Sequence, residues 1–187
     1  MTNSDIYILS GIYIMKLKRI KKSTDNDFHQ AWELYNDAFP LEERRTLDGQ
    51  KRVLKRSNYH FEILIDHNQF IGFILWWDLE IYRYIDHFAT SKSIRNKGFG
   101  KLILNTFINN DDKSILLEVE LPASTIDQRR INFYERLGFK LNLHDYKVPS
   151  SVDNRKIDLL VMSYPEAISK ETLNRFVINN HPIIFNS

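Results

Sequence analysis

The fold is limited most strongly by a strand–turn–helix unit around residues 95–100, which read RNKGFG. Residues 81–90 before this turn have the composition of a strand, and KLILNTFI after it has helical spacing. The chain has 6 glycines, and Gly98 and Gly100 both stand here beside two cations. Glycines let a backbone pass close to another group, and a helix N-terminus presents unpaired N–H groups and a positive dipole end. The turn therefore predicts an anion site, most simply for phosphate.

The other patterns predict an α/β (α+β) fold with a mixed sheet. Apolar runs and alternation predict strands at 13–20, 60–67, 70–79, 81–90, 114–121, 139–147 and 156–163. Helical spacing and end signals predict helices at 28–39, 41–56, 98–109, 125–137 and 169–180. Because no repeat or linker interrupts them, we expect one domain over 13–163. Residues 1–12 would be an N-terminal extension, and 164–187 a C-terminal helix and tail packed on the domain or at an interface.

Composition excludes several classes of protein. The 187 residues include no cysteine, which excludes disulfides, cysteine–metal sites and a thiol nucleophile and fits a reducing compartment. A net charge of +2 gives no overall field for nucleic acid or an anionic membrane. The apolar run in residues 1–15 is too short to span a bilayer and lacks the basic start of a signal peptide. We expect a cytoplasmic protein without a metal, nucleic-acid or membrane partner, starting at Met1 or Met15.

Two familiar phosphate-binding motifs fail at the glycine turn. A Walker loop would need glycine in place of Arg95 and a hydroxyl residue in place of Leu102, and a dinucleotide fingerprint would need glycine or alanine in place of Ile103. The pattern Arg/Gln-x-x-Gly-x-Gly/Ala, between a strand and a helix, does fit residues 95–100. Downstream, residues 129–140 read RRINFYERLGFK. In this order and at this spacing the two segments resemble the signatures of the GNAT superfamily of acetyl-CoA-dependent N-acetyltransferases.

The resemblance implies a mostly antiparallel sheet of six to seven strands flanked by helices. The sheet would splay between its fourth and fifth strands, 82–89 and 114–121, and acetyl-CoA (coenzyme A) would lie in the splay. The matching positions for contacts with the coenzyme are Phe88, Ala89, Arg95, Asn96, Lys97, Gly98, Phe99, Gly100, Lys101 and Asp127. Asp127 stands where many relatives have asparagine.

The resemblance also implies acetyl transfer to a primary amine by direct attack in a ternary complex. Tyr134 occupies the position of the family's tyrosine, whose hydroxyl commonly protonates the departing sulfur. A primary amine with a pKa of ~10 is only about one part in a thousand neutral at pH 7, so a proton acceptor should help. Asp86 falls where relatives often carry that base, and Glu118 and Glu120 share one face of the neighbouring strand. A structural or substrate-binding role for Asp86, and a solvent-facing edge for the two glutamates, remain open alternatives.

Strict alternation along the strand before the turn places Tyr84, Asp86 and Phe88 on one face. Ile85 and His87 would lie on the other face, so we expect His87 to be a core histidine.

The expected acceptor is a small-molecule or peptide amine, and a second copy of the chain is a candidate partner. Glu42 and Glu43 could attract a cationic amine, although carboxylates at a helix start need no substrate to explain them. The competing class is a non-catalytic acyl-CoA-binding or regulatory module on the same fold. Tyr134 and the carboxylates favour an enzyme. A nucleic-acid binder that uses KLKRIKK would lack interleaved aromatic residues.

Overall fold

The computed structural model describes residues 6–10, 13–153 and 155–185. Within these ranges the strands are β1 (Ile6–Ser10), β2 (Tyr13–Ile20), β3 (Tyr59–Asp66), β4 (Gln69–Asp78), β5 (Tyr82–Thr90), β6 (Ser114–Glu120), β7 (Lys140–Asn142), β8 (Lys147–Pro149) and β9 (Lys156–Tyr164). The helices are α1 (Phe28–Ala38), α2 (Leu47–Val53), α3 (Phe99–Asn109), α4 (Thr125–Glu135) and α5 (Lys170–Phe185). Short 3-10 turns cover Leu41–Glu43 and Lys92–Ile94. Met1, one of the two candidate starts, lies outside the described residues.

The strands form one sheet in the order β1-β2-β3-β4-β5-β6-β9-β7, and β8 also pairs with β9. Every described pair is antiparallel except β5 and β6, which are parallel. The mixed, mostly antiparallel sheet that the resemblance implies is therefore confirmed. It has more strands than the expected six or seven because residues 6–10 pair with β2 and the predicted strand 139–147 is two short strands.

The splay lies where it was expected. Pairing between β5 and β6 covers only Tyr82–Ile85 on one strand and Ser114–Leu117 on the other. Beyond these residues β5 continues alongside β4, while β6 continues alongside β9. The two central strands consequently diverge, and a gap opens between their C-terminal halves.

A β-bulge in β5 overturns the strict alternation that we predicted for this strand. Leu75 of β4 pairs with His87, but the next residue pairs with Ile85, which leaves Asp86 as the extra residue. His87 consequently packs on the same side of the sheet as Tyr84, whereas Phe88 packs on the opposite side. The prediction that Phe88 shares a face with Tyr84 was therefore wrong. One extra residue reverses the face of the sheet to which every later side chain of the strand points.

Two apolar layers cover the two faces of the sheet. On one face α1 and α5 contribute Tyr35, Phe176 and Ile184 to the larger cluster. On the other face α3 and α4 contribute Leu104 and Ile131 to a second cluster. No described helix is both long enough and apolar enough to cross a membrane.

The segment predicted as one helix over 41–56 is interrupted. After the 3-10 turn, the backbone is extended at Arg44 and Thr46, and α2 begins only at Leu47. The Arg45 N–H donates to the Tyr35 hydroxyl at 2.8 Å, and the Thr46 side chain caps α2. Tertiary contacts of Arg45 thus override the local helical preference of a charged segment.

Helix α5 continues to Phe185 rather than ending near residue 180, even though it contains Pro182. Its last turns are held by the core, because Ile184 is only 1% exposed. This docking brings the end of α5 to the divergence of β5 and β6.

Candidate active site

A cleft of about 580 Å³ opens where β5 and β6 diverge. Residues from both strands, from the segment after α1, from α4, from β8 and from the end of α5 line it. The sequence-predicted residues that line it are Asp86, Phe88, Ala89, Arg95, Glu118, Glu120 and Tyr134. The predicted residues that do not line it are Asn96, Lys97, Gly98, Phe99, Gly100, Lys101 and Asp127. Most of the latter belong to the glycine turn, which continues directly from the cleft residue Arg95.

The glycine turn leaves the N-terminus of α3 without a side-chain cap. Gly98 is the N-cap residue with φ +83°, and Asn96 has φ +64°. A Cβ added to Gly98 would meet no atom within 4 Å, so glycine is needed there for its backbone conformation rather than for space. A Cβ on Gly100 would make an ordinary contact, 3.5 Å from the Phe133 ring. The chain's own packing therefore does not require glycine at position 100, as expected where the backbone must be approached from outside.

The N-terminus of α4 provides a contrast. Ser124 accepts a hydrogen bond from the Asp127 N–H at 3.2 Å, and the Asp127 carboxylate accepts one from the Ser124 N–H at 2.8 Å. This capping box engages the side chain of Asp127 in the helix end itself. A contact between Asp127 and the coenzyme stays a prediction.

Phe99 anchors the start of α3. Its ring is buried with Ile94 and Ile103 in a third apolar cluster. Arg95, Lys97 and the other polar side chains of the turn are exposed, so the turn presents cations and main-chain groups to solvent.

Along β5, the backbone edge that faces the cleft has no described strand partner beyond Ile85. Phe88 and Ala89 lie on this stretch, while their other edge remains paired with β4. The close packing of β4 here depends on Gly72, because a Cβ at that position would lie 2.2 Å from the Ala89 carbonyl oxygen. The edge is thus held in an extended conformation.

Asp86 forms a buried ion pair with Arg45. The two side chains are only 5% and 14% exposed, and Arg45 also donates to the Ile184 carbonyl oxygen at 3.1 Å. Burial by itself would raise the pKa of Asp86, but the Arg45 guanidinium and His87 outweigh it and hold that pKa below its usual range. A carboxylate in this state is a weak proton acceptor, so the geometry argues for a structural role of Asp86 rather than for the base.

His87 is the buried histidine that we expected. Its Nε2–H donates to the Glu43 carbonyl oxygen at 3.1 Å, and its Nδ1 lies 3.3 Å from the Asp86 carboxylate. The rings of Tyr35 and Phe39 pack against it at centroid distances of 4.8 and 4.6 Å. These contacts fix the segment after α1 to β5.

Glu118 faces the cleft from β6 and has no cationic partner among the described residues. The Tyr146 hydroxyl donates a hydrogen bond to its carboxylate, and the Tyr84 hydroxyl interacts with it as well. Burial raises the pKa of Glu118 to about 7; the hydrogen bonds from Tyr146 and Tyr84 oppose this shift, and the charges of Asp86 and Glu43 add to it. A group with this pKa exchanges protons readily at neutral pH.

Glu120 differs from Glu118 because it has a cationic partner. It forms an ion pair with Arg130 of α4, and the two side chains are 33% and 39% exposed. The Arg130 side chain thereby joins α4 to β6 at the cleft wall.

Tyr134 presents its hydroxyl at the cleft from α4. The residue is 7% exposed, and its ring packs against Phe133 and Phe139 at centroid distances of 5.3 and 5.6 Å. Within the part of the chain that the structure describes, its hydroxyl has no hydrogen-bond partner. Burial raises the pKa of Tyr134 to about 12, so the hydroxyl keeps its proton at neutral pH.

Sequence reasoning missed three residues near the carboxylates of Asp86 and Glu118. Arg45 pairs with Asp86, Tyr146 donates to Glu118, and His181 contacts Tyr146. Arg45 follows the 3-10 turn, Tyr146 precedes β8, and His181 belongs to α5. The only sequence signal for the last segment was the apolar run that ends at Phe185, which indicated docking but not a polar contact.

Residues 57–141 match the family model of the acetyltransferase (GNAT) domain. A Bacteroides thetaiotaomicron protein assigned to the GNAT acetyltransferases has 31% sequence identity and a TM-score of 0.83, with 91% of this chain and 98% of that chain covered. Two Arabidopsis thaliana structures share the fold. Naa50 with the bisubstrate analogue CoA-Ac-MVNAL has 18% identity, coverages of 82% and 99%, and a TM-score of 0.58. NAA60 with acetyl-CoA has 16% identity, coverages of 80% and 97%, and a TM-score of 0.60. No curated protein matches the chain. The chain therefore belongs to the GNAT family and is an acyltransferase of that family.

Proposed function

We propose that this enzyme transfers an acetyl group from acetyl-CoA to a primary amine, in a small molecule or a peptide, by direct attack in a ternary complex. One observation carries the proposal. Glu118 of β6 and Tyr134 of α4 line the same cleft, and neither has an ion-pair partner among the described residues. Glu118 suits the role of proton acceptor, and the Tyr134 hydroxyl suits the role of proton donor.

The chain has the groups needed to hold the coenzyme. The uncapped start of α3, with left-handed backbone at Asn96 and Gly98, suits the pyrophosphate. We assign this contact to the main chain of residues 95–101, with added charge from Arg95 and Lys97. The unpaired edge of β5 suits the amide-bearing arm, which can hydrogen-bond along Phe88 and Ala89 as an extra strand would. When bound, acetyl-CoA supplies an acyl group activated by its thioester.

We assign the general base to Glu118. A base works best when its pKa is close to the working pH, and the pKa of Glu118 is raised to about 7. Asp86 is held in its charged form by Arg45, and Glu120 is paired with Arg130. Both would therefore accept a proton less readily than Glu118.

The proton balance follows from these roles. Glu118 accepts one proton from the ammonium group of the acceptor, and the neutral nitrogen then attacks the thioester carbonyl carbon. The C–N bond forms, the C–S bond breaks, and Tyr134 donates its proton to the departing sulfur. The second amine proton replaces the one that Tyr134 gave up. Overall, one proton is released for each amide formed.

The test is thiol release from acetyl-CoA across a panel of small amines and peptide N-termini. Wild-type enzyme should release thiol with at least one acceptor, and Glu118→Gln and Tyr134→Phe should each lower kcat by about 10²-fold or more. The matched controls are Glu135→Gln, an exposed carboxylate on α4, and Tyr164→Phe, a tyrosine that does not line the cleft. Both controls should retain wild-type rates.

Two outcomes would overturn the proposal. Calorimetric binding of acetyl-CoA without thiol release on any amine would support the non-catalytic binding module instead. Turnover that survives both Glu118→Gln and Tyr134→Phe would show that the chemistry does not use these residues.

A further inference from the structure

A row of polar groups leads from Glu118 to Tyr146 and His181, and Tyr146 packs on the face of the sheet opposite to Tyr134. The Tyr146 hydroxyl donates to the Glu118 carboxylate and also lies 2.8 Å from Nε2 of His181. Neither Tyr146 nor His181 lines the cleft itself. The row therefore joins Glu118 at the cleft to His181 of helix α5.

Tyr146 is the most buried group of this row, and Glu118 and His181 at its two ends are only partly buried. Tyr146 is 5% exposed, whereas His181 is only partly buried and so has access to water. The His181 ring is held by Tyr146, Phe176 and Phe185, at centroid distances of 5.5, 6.1 and 4.9 Å. The imidazole thus contacts a buried hydroxyl through Nε2 and belongs to a residue that is partly exposed to solvent.

The proposed reaction requires a route by which Glu118 can release a proton. Glu118 must lose the proton that it takes from the acceptor before the next turnover. Because Glu118 lines the cleft that the proposal assigns to both substrates, bound substrates would lie between its carboxylate and the water outside. Release through the protein behind β6 would not depend on which substrate or product is bound.

We infer that Tyr146 and His181 form a proton relay that carries the proton from Glu118 to solvent, an inference that rests on the proposed role of Glu118 as base. Protonated Glu118 donates its proton to the Tyr146 oxygen, while Tyr146 passes its own proton to Nε2 of His181. His181 then releases the proton from Nδ1 to water. Before this transfer the neutral imidazole moves its proton from Nε2 to Nδ1 by exchange with water, so after the transfer every group is back in its starting state. One proton leaves for each proton taken from the amine.

The charges around the row suit this transfer. Burial, with the charge of Glu118, raises the pKa of Tyr146 well above its usual value, so this hydroxyl passes protons without ionising. Burial, with the charge of Lys156, lowers the pKa of His181 to about 4, so its imidazole is neutral and gives up an added proton quickly. The other titratable groups that face Glu118 are Tyr84, Asp86 and Glu43.

The relay makes a prediction that does not depend on activity. When Glu118 is ionised, Tyr146 donates to it and accepts from His181 Nε2–H. When Glu118 is protonated, Tyr146 donates to His181 Nε2, and the imidazole proton moves to Nδ1. The ¹⁵N signals of His181 should therefore switch from one neutral tautomer to the other with a midpoint near pH 7. The switch should disappear in Glu118→Gln and in Tyr146→Phe, and a tautomer that stays the same from pH 5 to pH 9 would overturn the relay.

Kinetics give the second test. His181→Gln keeps an N–H donor for Tyr146 but cannot pass a proton on. It should lower kcat by about tenfold, a part of the roughly 10²- to 10⁴-fold that a base contributes, and leave the KM for acetyl-CoA unchanged. Added imidazole should restore part of the rate of His181→Ala. The matched control is His144→Gln, which replaces a histidine bonded to the Ile168 carbonyl outside the cleft and should have no effect on kcat.

The outcomes separate the two proposals. Wild-type rates in His181→Gln, together with a slow Glu118→Gln variant, would overturn the relay and leave the acetyltransferase proposal intact. Absence of thiol release by the wild-type enzyme would overturn the proposed function, while the ¹⁵N titration would still decide whether Glu118 and His181 exchange protons through Tyr146.

Discussion

Replacing Asp86 by asparagine removes one charge of the buried ion pair and keeps its shape. Arg45 would retain its bond to the Ile184 carbonyl and its position over the Tyr59 ring, 5.6 Å from the ring centroid. Its charge would nevertheless lose its only described carboxylate partner, and the Arg45 side chain is only 14% exposed. Breaking a buried pair in this way costs about 3–5 kcal/mol. We expect Asp86→Asn to lower the free energy of unfolding by that amount at pH 7.

The pKa of Asp86 determines how this loss of stability depends on pH. The pKa of Asp86 is lowered in the folded protein, so the folded carboxylate binds a proton only at a lower pH than the unfolded one. The stabilisation is complete above the unfolded pKa of about 4 and is lost as the pH falls through the folded pKa. The difference between wild type and Asp86→Asn should therefore be constant at neutral pH and shrink below about pH 4.

The assay is urea denaturation followed by circular dichroism, at pH 7 and at pH 3. Asp158→Asn is the matched control, because it makes the same chemical change in an ion pair with Lys147 that is largely exposed, and it should change stability much less. Replacing both partners, with Arg45→Met added to Asp86→Asn, should recover part of the loss. A loss below about 1 kcal/mol in Asp86→Asn, combined with abolished thiol release, would refute the reasoning and return Asp86 to the role of base.

Four further predictions concern the cleft and the elements that position it. The kcat/KM of the wild-type enzyme for an amine should rise with pH through a midpoint near 7, as Glu118 loses its proton, and a rate independent of pH from 5 to 9 would contradict this assignment. Gly98→Ala should cost about 1–2 kcal/mol, because φ is +83° at this position, and should weaken acetyl-CoA binding in calorimetry; unchanged affinity would exclude the turn from the site. Gly72→Ala should lower the free energy of unfolding by about 1–3 kcal/mol and raise the KM for acetyl-CoA, because the new Cβ would push against the Ala89 carbonyl. An unchanged KM would mean that this edge of β5 does not bind the coenzyme. Arg83→Met should cost about 2–4 kcal/mol, because the buried guanidinium donates to three carbonyl groups at the end of α3, and a smaller loss would mean that water replaces these bonds.

The features of the fold and of the candidate site that sequence could predict are those whose signal is local. The glycine turn, the tyrosine of α4 and the strands on either side of the splay each depend on residues within about twenty positions of one another. Gly98 needs glycine because of its own backbone angle, and Tyr134 belongs to a short contiguous motif. Such features can be recognised without knowledge of what packs against them.

The parts that sequence could not predict depend on distant partners. Arg45 and Asp86 are 41 positions apart, and Glu118 and Tyr146 are 28 apart. The spacing of Asp86 and Glu118 along the chain does not reveal that a guanidinium binds the first carboxylate and tyrosine hydroxyls bind the second. This difference in partners is nevertheless what lowers the pKa of Asp86 while the pKa of Glu118 is raised. The bulge at Asp86 is equally hidden, because it is defined by the register of β4 and not by the sequence of β5.

The short β5–β6 pairing has a mechanical consequence. Among the described strands, β1–β5 are joined to β6, β7 and β9 through four paired residues on each of β5 and β6. A ligand bound along the unpaired edge of β5, in the gap between β5 and β6, would add contacts between these two parts of the sheet. Amide hydrogen exchange at the facing edges of Tyr82–Ile85 and Ser114–Leu117 should therefore slow when acetyl-CoA is added, and the melting temperature should rise with its concentration. These two observations together would show that binding of acetyl-CoA and stiffening of the sheet are coupled.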